Sequence, residues 1–240
     1  IDKIKSLVDL KDIDYIVMDH TEPDHSGALP RLLKEATNAE VIGSRTAITF
    51  LKGQINRDFN SRVVKDGDFI DLGGKTLRFI MAPFLHWPDT MFTYLVEEKI
   101  LFTCDAFGCH YTPKHLFNDL EDDFSDAYKL YFDSIVSPFK PKVLEAIEKI
   151  RNLPIDMIAV GHGPILRKDI EKYVETYKKW SLYDTNTKKK VLIYYVSAYG
   201  NTRKMAEEIG NGIKDSGVID VDIYNAKAVN LDDARDKIEK

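Results

Sequence analysis

Six consecutive residues, His20-Thr21-Glu22-Pro23-Asp24-His25, follow the short β-branched run Tyr15-Ile16-Val17-Met18 and place four potential metal ligands within six positions. Helical spacing cannot aim side chains so close in sequence at one point, whereas a tight loop leaving a strand end can turn them toward neighbouring cations. The cluster is too polar for a core unless a cation neutralises it. The competing reading is a solvated acidic loop. If the loop does bind metal, the chain must fold so that other strand ends meet it along one rim.

Three further candidates occupy such ends: His86 after Pro83-Phe84-Leu85, Asp105 after Thr103-Cys104, and His162 between Gly161 and Gly163. Flanking glycines let the backbone turn tightly and approach a site closely, which a surface histidine does not require. The set comprises four imidazoles and three carboxylates with no thiolate. Carboxylates are hard ligands, and one can bridge two cations whose charge changes on oxidation, so iron or manganese is favoured over zinc. Cys104 and Cys109, the two cysteines, form no Cys-x-x-Cys pair and read as packing thiols rather than a disulfide framework.

The hydrophobic pattern is that of an α/β chain. Tyr15–Met18 reads as a strand followed by a helix over 26–36, and Val41-Ile42-Gly43 as a strand followed by an amphipathic helix bearing Ala47, Ile48, Leu51 and Ile55. Residues 69–72 and 76–81, separated by Gly73-Gly74, read as an antiparallel hairpin. Strands over 91–96 and 100–104 follow, then helices over 126–136 and 141–152, a strand over 157–160, and a helix carrying Tyr173, Val174, Tyr177 and Trp180. The polar stretch 184–190 has linker composition, so the expected division lies between residues 187 and 188. Beyond it, the order strand (191–196), helix (203–214), strand (218–224) opens a doubly wound sheet.

Between the first of these strands and its helix lies Ser197-Ala198-Tyr199-Gly200-Asn201-Thr202, whose amides and hydroxyls could cradle a phosphate at the helix N-terminus. The same kind of turn also serves merely to reverse the chain. It lacks the Gly-x-Gly-x-x-Gly pattern of dinucleotide sites, which favours FMN over NAD or FAD.

With 44% hydrophobic and 30% charged residues among 240, the composition is that of a globular protein with a sizeable core. The net charge of −5, with both signs interspersed, offers no basic stripe for nucleic acid. No apolar run approaches the roughly 20 residues that span a bilayer, and residues 1–11 do not resemble a signal peptide, so the cytoplasm is the expected location.

The loop His20–His25, then His86, Asp105 and His162, together with Asp105-Ala106-Phe107-Gly108 and His115-Leu116-Phe117-Asn118-Asp119, resemble the flavodiiron proteins, or A-type flavoproteins. The segment 197–202 is similar to the FMN phosphate loop of flavodoxins. The resemblance implies a metallo-β-lactamase-like αββα sandwich over 1–187 and the start of a flavodoxin-like doubly wound domain over 188–240. It further implies that opening strands precede Ile1 and that most of the flavodoxin-like domain follows Lys240. By the same resemblance His20, Glu22 and His86 bind one iron, Asp24, His25 and His162 a second, and Asp105 bridges them.

The implied activity is reduction of dioxygen to water or of nitric oxide to nitrous oxide, with FMN relaying electrons from an external donor such as rubredoxin or a flavin reductase. A head-to-tail homodimer is also implied. A zinc-dependent hydrolase of the same superfamily is the rival reading, although such enzymes usually carry His where this chain has Glu22. A flavin-binding electron carrier with a merely structural first domain is a third. His110 and His115, near the expected bridge, could hydrogen-bond a ligand or deliver a proton, but ordinary surface roles are the simpler expectation. Trp87, Tyr128 and Tyr131 read as packing or pocket-wall residues, and Lys188-Lys189-Lys190 as solvated linker.

Overall fold

The computed structural model describes residues 1–182, 190–217, 220–230, 233–234 and 237. The chain divides into two units, Ile1–Leu182 and Tyr183–Lys240. The expected boundary between 187 and 188 and most of the linker run lie outside the described residues.

In the first unit a short helix α1 (Asp2–Lys5) precedes strand β1 (Tyr15–Met18), helices α2 (Pro23–Ser26) and α3 (Leu29–Leu32), strand β2 (Glu40–Gly43), helix α4 (Arg45–Ile55) and strand β3 (Ser61–Val63). The three strands form a parallel sheet in the order β1-β2-β3. Side chains alternate across a strand, so each strand feeds two layers. Ile16, Met18 and Val41 pack with Leu29, Ile48 and Leu51 of the helices. Tyr15, Val17 and Ile42 point the other way, onto Ile70, Phe79 and Met91.

Those last residues belong to a second sheet of β4 (Phe69–Asp71), β5 (Thr76–Met81), β6 (Met91–Leu95), β7 (Ile100–Cys104) and β8 (Met157–Val160), in that order. The first three pairings are antiparallel and β7–β8 is parallel. Its other face buries Ile80, Phe92, Tyr94, Leu101 and Ile158 against helices α5 (Ser125–Tyr131), α6 (Lys140–Ile150) and α7 (Ile170–Ser181). Helix, sheet, sheet, helix is the αββα sandwich expected of the metallo-β-lactamase-like fold. Gly73 and Gly74, at φ 79° and 116°, make the β4–β5 turn as expected.

Two expectations differ in detail. The single helix over 26–36 is replaced by α2 and α3, because Pro30 has no amide hydrogen to carry a helix onward from Ser26. Strand β3 went unread because Ser61-Arg62-Val63 has no apolar alternation: its pairing with β2, not its side chains, makes it a strand.

The second unit has strand β9 (Lys190–Tyr195), helix α8 (Asn201–Asp215) and strand β10 (Asp220–Asn225). β9 and β10 pair in parallel from Lys190 opposite Asp220 to Tyr195 opposite Asn225, the expected βαβ order; residues 218 and 219, where the second strand was expected to start, lie outside the described residues. No helix among the described residues is long and apolar enough to cross a membrane.

Candidate metal centre

The loop after β1 is fixed before any ligand is aimed. Asp19 accepts a backbone hydrogen bond from Met91 at 2.9 Å, joining the exit of β1 to the start of β6. Gln54 of α4 donates from Nε2 to the Thr21 carbonyl at 2.8 Å. His20 is buried, with Nδ1 3.1 Å from Asp89 Oδ2. The same oxygen accepts the Thr21 amide and the Thr21 hydroxyl, each at 2.8 Å. Burial opposes ionisation of Asp89, but the hydrogen bond and charge of His20 and the Thr21 hydrogen bond outweigh it and hold the carboxyl below its ordinary range. With Nδ1 engaged, His20 presents Nε2 to the pocket.

All seven expected residues meet in that pocket. Ligand atoms of His20, Glu22, His86 and Asp105 lie within 4.8 Å of one another, as do those of Asp24, His25 and His162. Asp105 stands between the groups. Its Oδ2 is 3.3 Å from Nε2 of both His20 and His86, while its Oδ1 is 3.0 Å from His25 Nε2 and 3.3 Å from His162 Nε2. Glu22 Oε2 closes the first group at 3.0 Å from His86 and 3.4 Å from His20. Asp24 Oδ2 closes the second at 3.2 Å from His162 and 3.4 Å from His25.

These donor atoms face one another yet lack ordinary partners. His25 Nε2 and both oxygens of Asp105 are buried without a hydrogen-bond partner, although buried polar groups are nearly always satisfied. Lone pairs turned inward without donors fit a pair of cations, and the hard, thiolate-free donor set fits iron. The electrostatics agree. Contact with the Asp105 carboxylate raises the pKa of His25 and of His86 above that of an ordinary imidazole, against the opposing effect of burial, with the neighbouring carboxylate charges adding. For Asp105 burial acts upward, but His25, His86 and His20 together hold its carboxyl well below the usual range. The Asp105 side chain is 3% exposed and that of Asp24 50%, so the pocket is closed beneath Asp105 and open on the Asp24 side.

Asp105 owes its place to an irregularity. Along the parallel β7–β8 ladder Phe102 faces Ala159 and Cys104 faces Val160, so Thr103 is an extra residue. A bulge of this kind re-aims the following side chain. Cys104 and Phe107, flanking Asp105, sit at φ 51° and 65°, a region that non-glycine residues seldom adopt. The glycines around His162 are needed sterically: a Cβ on Gly161 would lie 2.9 Å from His25 Cε1, and Gly163 has φ 85° with Cys109 Sγ 2.6 Å from where a Cβ would be.

The segment after His162 is latched by residues whose role the sequence did not disclose. The Cys109 amide donates to the His162 carbonyl at 3.1 Å, the Asn118 amide to the Ile165 carbonyl and the Ile165 amide to the Leu116 carbonyl, the last two at 2.9 Å each. Asn118 Oδ1 accepts from the Arg167 amide at 2.9 Å, the Arg167 guanidinium grips both oxygens of Asp119 at 2.9 and 3.1 Å, and it lies 3.7 Å over the Phe117 ring. Asp89 was likewise missed. Among the residues weighed in the sequence, Trp87 packs edge-on against His20 at 5.2 Å, and exposed His110 lies 5.5 Å from the His162 ring and 4.7 Å from that of Tyr131. His115 is exposed and pairs with Glu121.

In the second unit residues 197–200 join β9 to α8, and Asn201 and Thr202 open the helix. Gly200 is left-handed at φ 86°, no side chain caps α8, and Ser197 Oγ is buried without a hydrogen-bond partner. Uncapped amides beside an orphaned hydroxyl fit a phosphate group. Ala198 and Tyr199 are exposed.

Comparison with known proteins agrees with this architecture. A family described as "ODP family beta lactamase" matches residues 1–163. The chain is 41% identical over 247 aligned positions to the flavo-diiron protein FprA2 of Clostridium acetobutylicum, covering 99% of this chain and 62% of that protein. It is 37% identical to the type A flavoprotein fprA of Rhodobacter capsulatus, covering 99% and 56% respectively. Among solved structures, the rubredoxin oxygen:oxidoreductase of Desulfovibrio gigas superposes with a TM-score of 0.72 at 30% identity, covering 99% of this chain and 60% of that one. The chain thus spans somewhat more than half the length of these relatives.

Proposed function

This chain belongs to the flavodiiron protein family, and from that premise we propose that it is an oxidoreductase in which His20, Glu22 and His86 hold one iron, Asp24, His25 and His162 a second, and Asp105 bridges them. The observation that carries the reading is Asp105 itself, a buried carboxylate whose two unpartnered oxygens each face a different pair of histidines. We assign the activity as reduction of dioxygen to water, of nitric oxide to nitrous oxide, or both. Bound iron would supply electrons and Lewis acidity toward a diatomic molecule, and FMN the further electrons that complete reduction of dioxygen requires.

The chain's own contribution is orientation and enclosure. Asp89 fixes the tautomer and direction of His20, and Thr21 fixes Asp89. Burial of Asp105 keeps water from the floor, while half-exposed Asp24 leaves one side open to a small molecule. His110, exposed and with its ring 5.5 Å from that of His162, would serve to deliver protons from solvent. Ser197, Gly200, Asn201 and Thr202, with the backbone of Ala198 and Tyr199, would hold the FMN phosphate. Electrons would come from an external donor of the rubredoxin or flavin-reductase kind, as the name of the Desulfovibrio gigas relative suggests for that protein. A head-to-tail homodimer would bring one subunit's flavin to its partner's irons.

The test is anaerobic reduction of the full-length, iron-loaded protein followed by exposure to each gas, with iron and flavin absorption recorded. Reoxidation of both by at least one gas is expected. Failure of both gases to reoxidise the metal sinks the reading, and two zinc ions per chain with ester or phosphodiester hydrolysis would replace it with a zinc-dependent hydrolase.

A further inference from the structure

Adjacent side chains of a regular strand point to opposite faces, so Cys104 and Asp105 should diverge. They do not. The extra residue in β7 and the left-handed backbone of Cys104 (φ 51°) bring its Sγ within 4.8 Å of a ring nitrogen of His25 and a carboxylate oxygen of Asp105. The other two residues of this trio carry atoms already found wanting: His25 Nε2 and both Asp105 oxygens are buried with no hydrogen-bond partner. The Asp105 side chain is 3% exposed. One sulfur, one imidazole nitrogen and one carboxylate oxygen thus lie within 4.8 Å of one another.

We propose that Cys104, His25 and Asp105 give the second metal position a sulfur-containing face that takes a soft or borderline divalent cation, of the zinc and cadmium class, in competition with iron. The inference rests on the assignment of His25 and Asp105 as ligands and adds a donor that the iron assignment does not use. Its chemical basis is softness: imidazole and carboxylate alone discriminate weakly among these cations, whereas sulfur strongly favours the thiophilic ones. Cys109 supplies an internal control, because its Sγ is turned toward Gly163, 2.6 Å from where a Cβ there would lie.

The full-length protein, stripped of metal by chelation and kept reduced and anaerobic, is titrated with Cd2+ while sulfur-to-cadmium charge transfer is followed in the ultraviolet. Relative to Cys104→Ser, wild type and Cys109→Ser should develop additional intensity worth about one cadmium–thiolate bond per chain, with the thiol proton released to the buffer as that bond forms. Asp105→Asn should weaken cadmium binding about tenfold or more. Cadmium should also slow alkylation of Cys104 in the wild type, mapped by peptide mass, which gives a readout that needs no variant to fold. A band undiminished in Cys104→Ser, a wild type with no band, an alkylation rate of Cys104 indifferent to cadmium, or cadmium affinity unchanged in Asp105→Asn each overturns the proposal. Ferrous uptake is measured in parallel. Should the cadmium result be negative, about two bound irons per chain leave the diiron reading standing while the sulfur face falls; without that iron uptake it is the diiron reading that fails.

Discussion

Asp89 touches neither proposed iron, yet its single oxygen Oδ2 receives His20 and both polar groups of Thr21. Replacing it with Asn keeps an oxygen but removes the charge that holds His20 in one tautomer. Asp89→Asn is therefore expected to weaken iron binding at the His20 position roughly 10- to 100-fold, measured by ferrous titration of the metal-free protein. Protons and iron compete for the same ring nitrogens, and the carboxylates raise the pKa of His25 and His86. Both rings thus stay protonated to higher pH than free imidazole. Iron affinity should climb as pH rises through and beyond about 6.5, levelling off later than at an unperturbed histidine site, as binding isotherms across that range would show. The seven residues that meet in the pocket were legible because four crowd into one loop and the others close strand-like runs. Asp89, in Trp87-Pro88-Asp89-Thr90, looks like any turn aspartate, and only the burial of His20 above it gives it meaning.

Elements carry the ligands by their ends. Ser44 caps α4 by accepting the Ala47 amide at 3.0 Å and donates to the Asp89 carbonyl at 2.7 Å, so one hydroxyl ties the helix start to the loop that steadies His20. Ser44→Ala removes the cap and leaves a buried carbonyl unpaired, a loss of about 2 kcal/mol expected in chemical denaturation of the metal-free protein. Strands with β-branched or aromatic alternation, and helix α4 with its apolar stripe and serine cap, were readable from local pattern alone. Where partners decide, local pattern failed: β3 exists through its ladder with β2, and the bulge in β7 has no signature in Phe102-Thr103-Cys104.

At the scale of the first unit, the sandwich gathers three carboxylates and four histidines at one rim, an arrangement that leaves buried oxygens of Asp105 and a ring nitrogen of His25 without hydrogen-bond partners unless cations join them. Chelation should lower the thermal midpoint of the full-length protein, and resupplying ferrous iron at about 100 times its dissociation constant should restore about 2.7 kcal/mol, read by calorimetry. The layer order came from the family resemblance; local pattern gave the strands and helices but not which sheet faces which, since the two cores that each strand feeds become visible only once the sheets are paired. The domain boundary rested only on linker composition, which fixes a stretch of chain and not a residue.

Between Phe102 and Cys104, β7 holds one residue more than the length of β8 beside it. Substitution can alter which chemical groups stand around the bridging position, but the direction in which Asp105 faces is a matter of counting. A lineage that lost the spare residue would keep every one of the seven proposed ligands in its alignment and still turn the middle one away, so insertions and deletions here, more than changes of residue type, should mark where the proposed pairing of metals is lost.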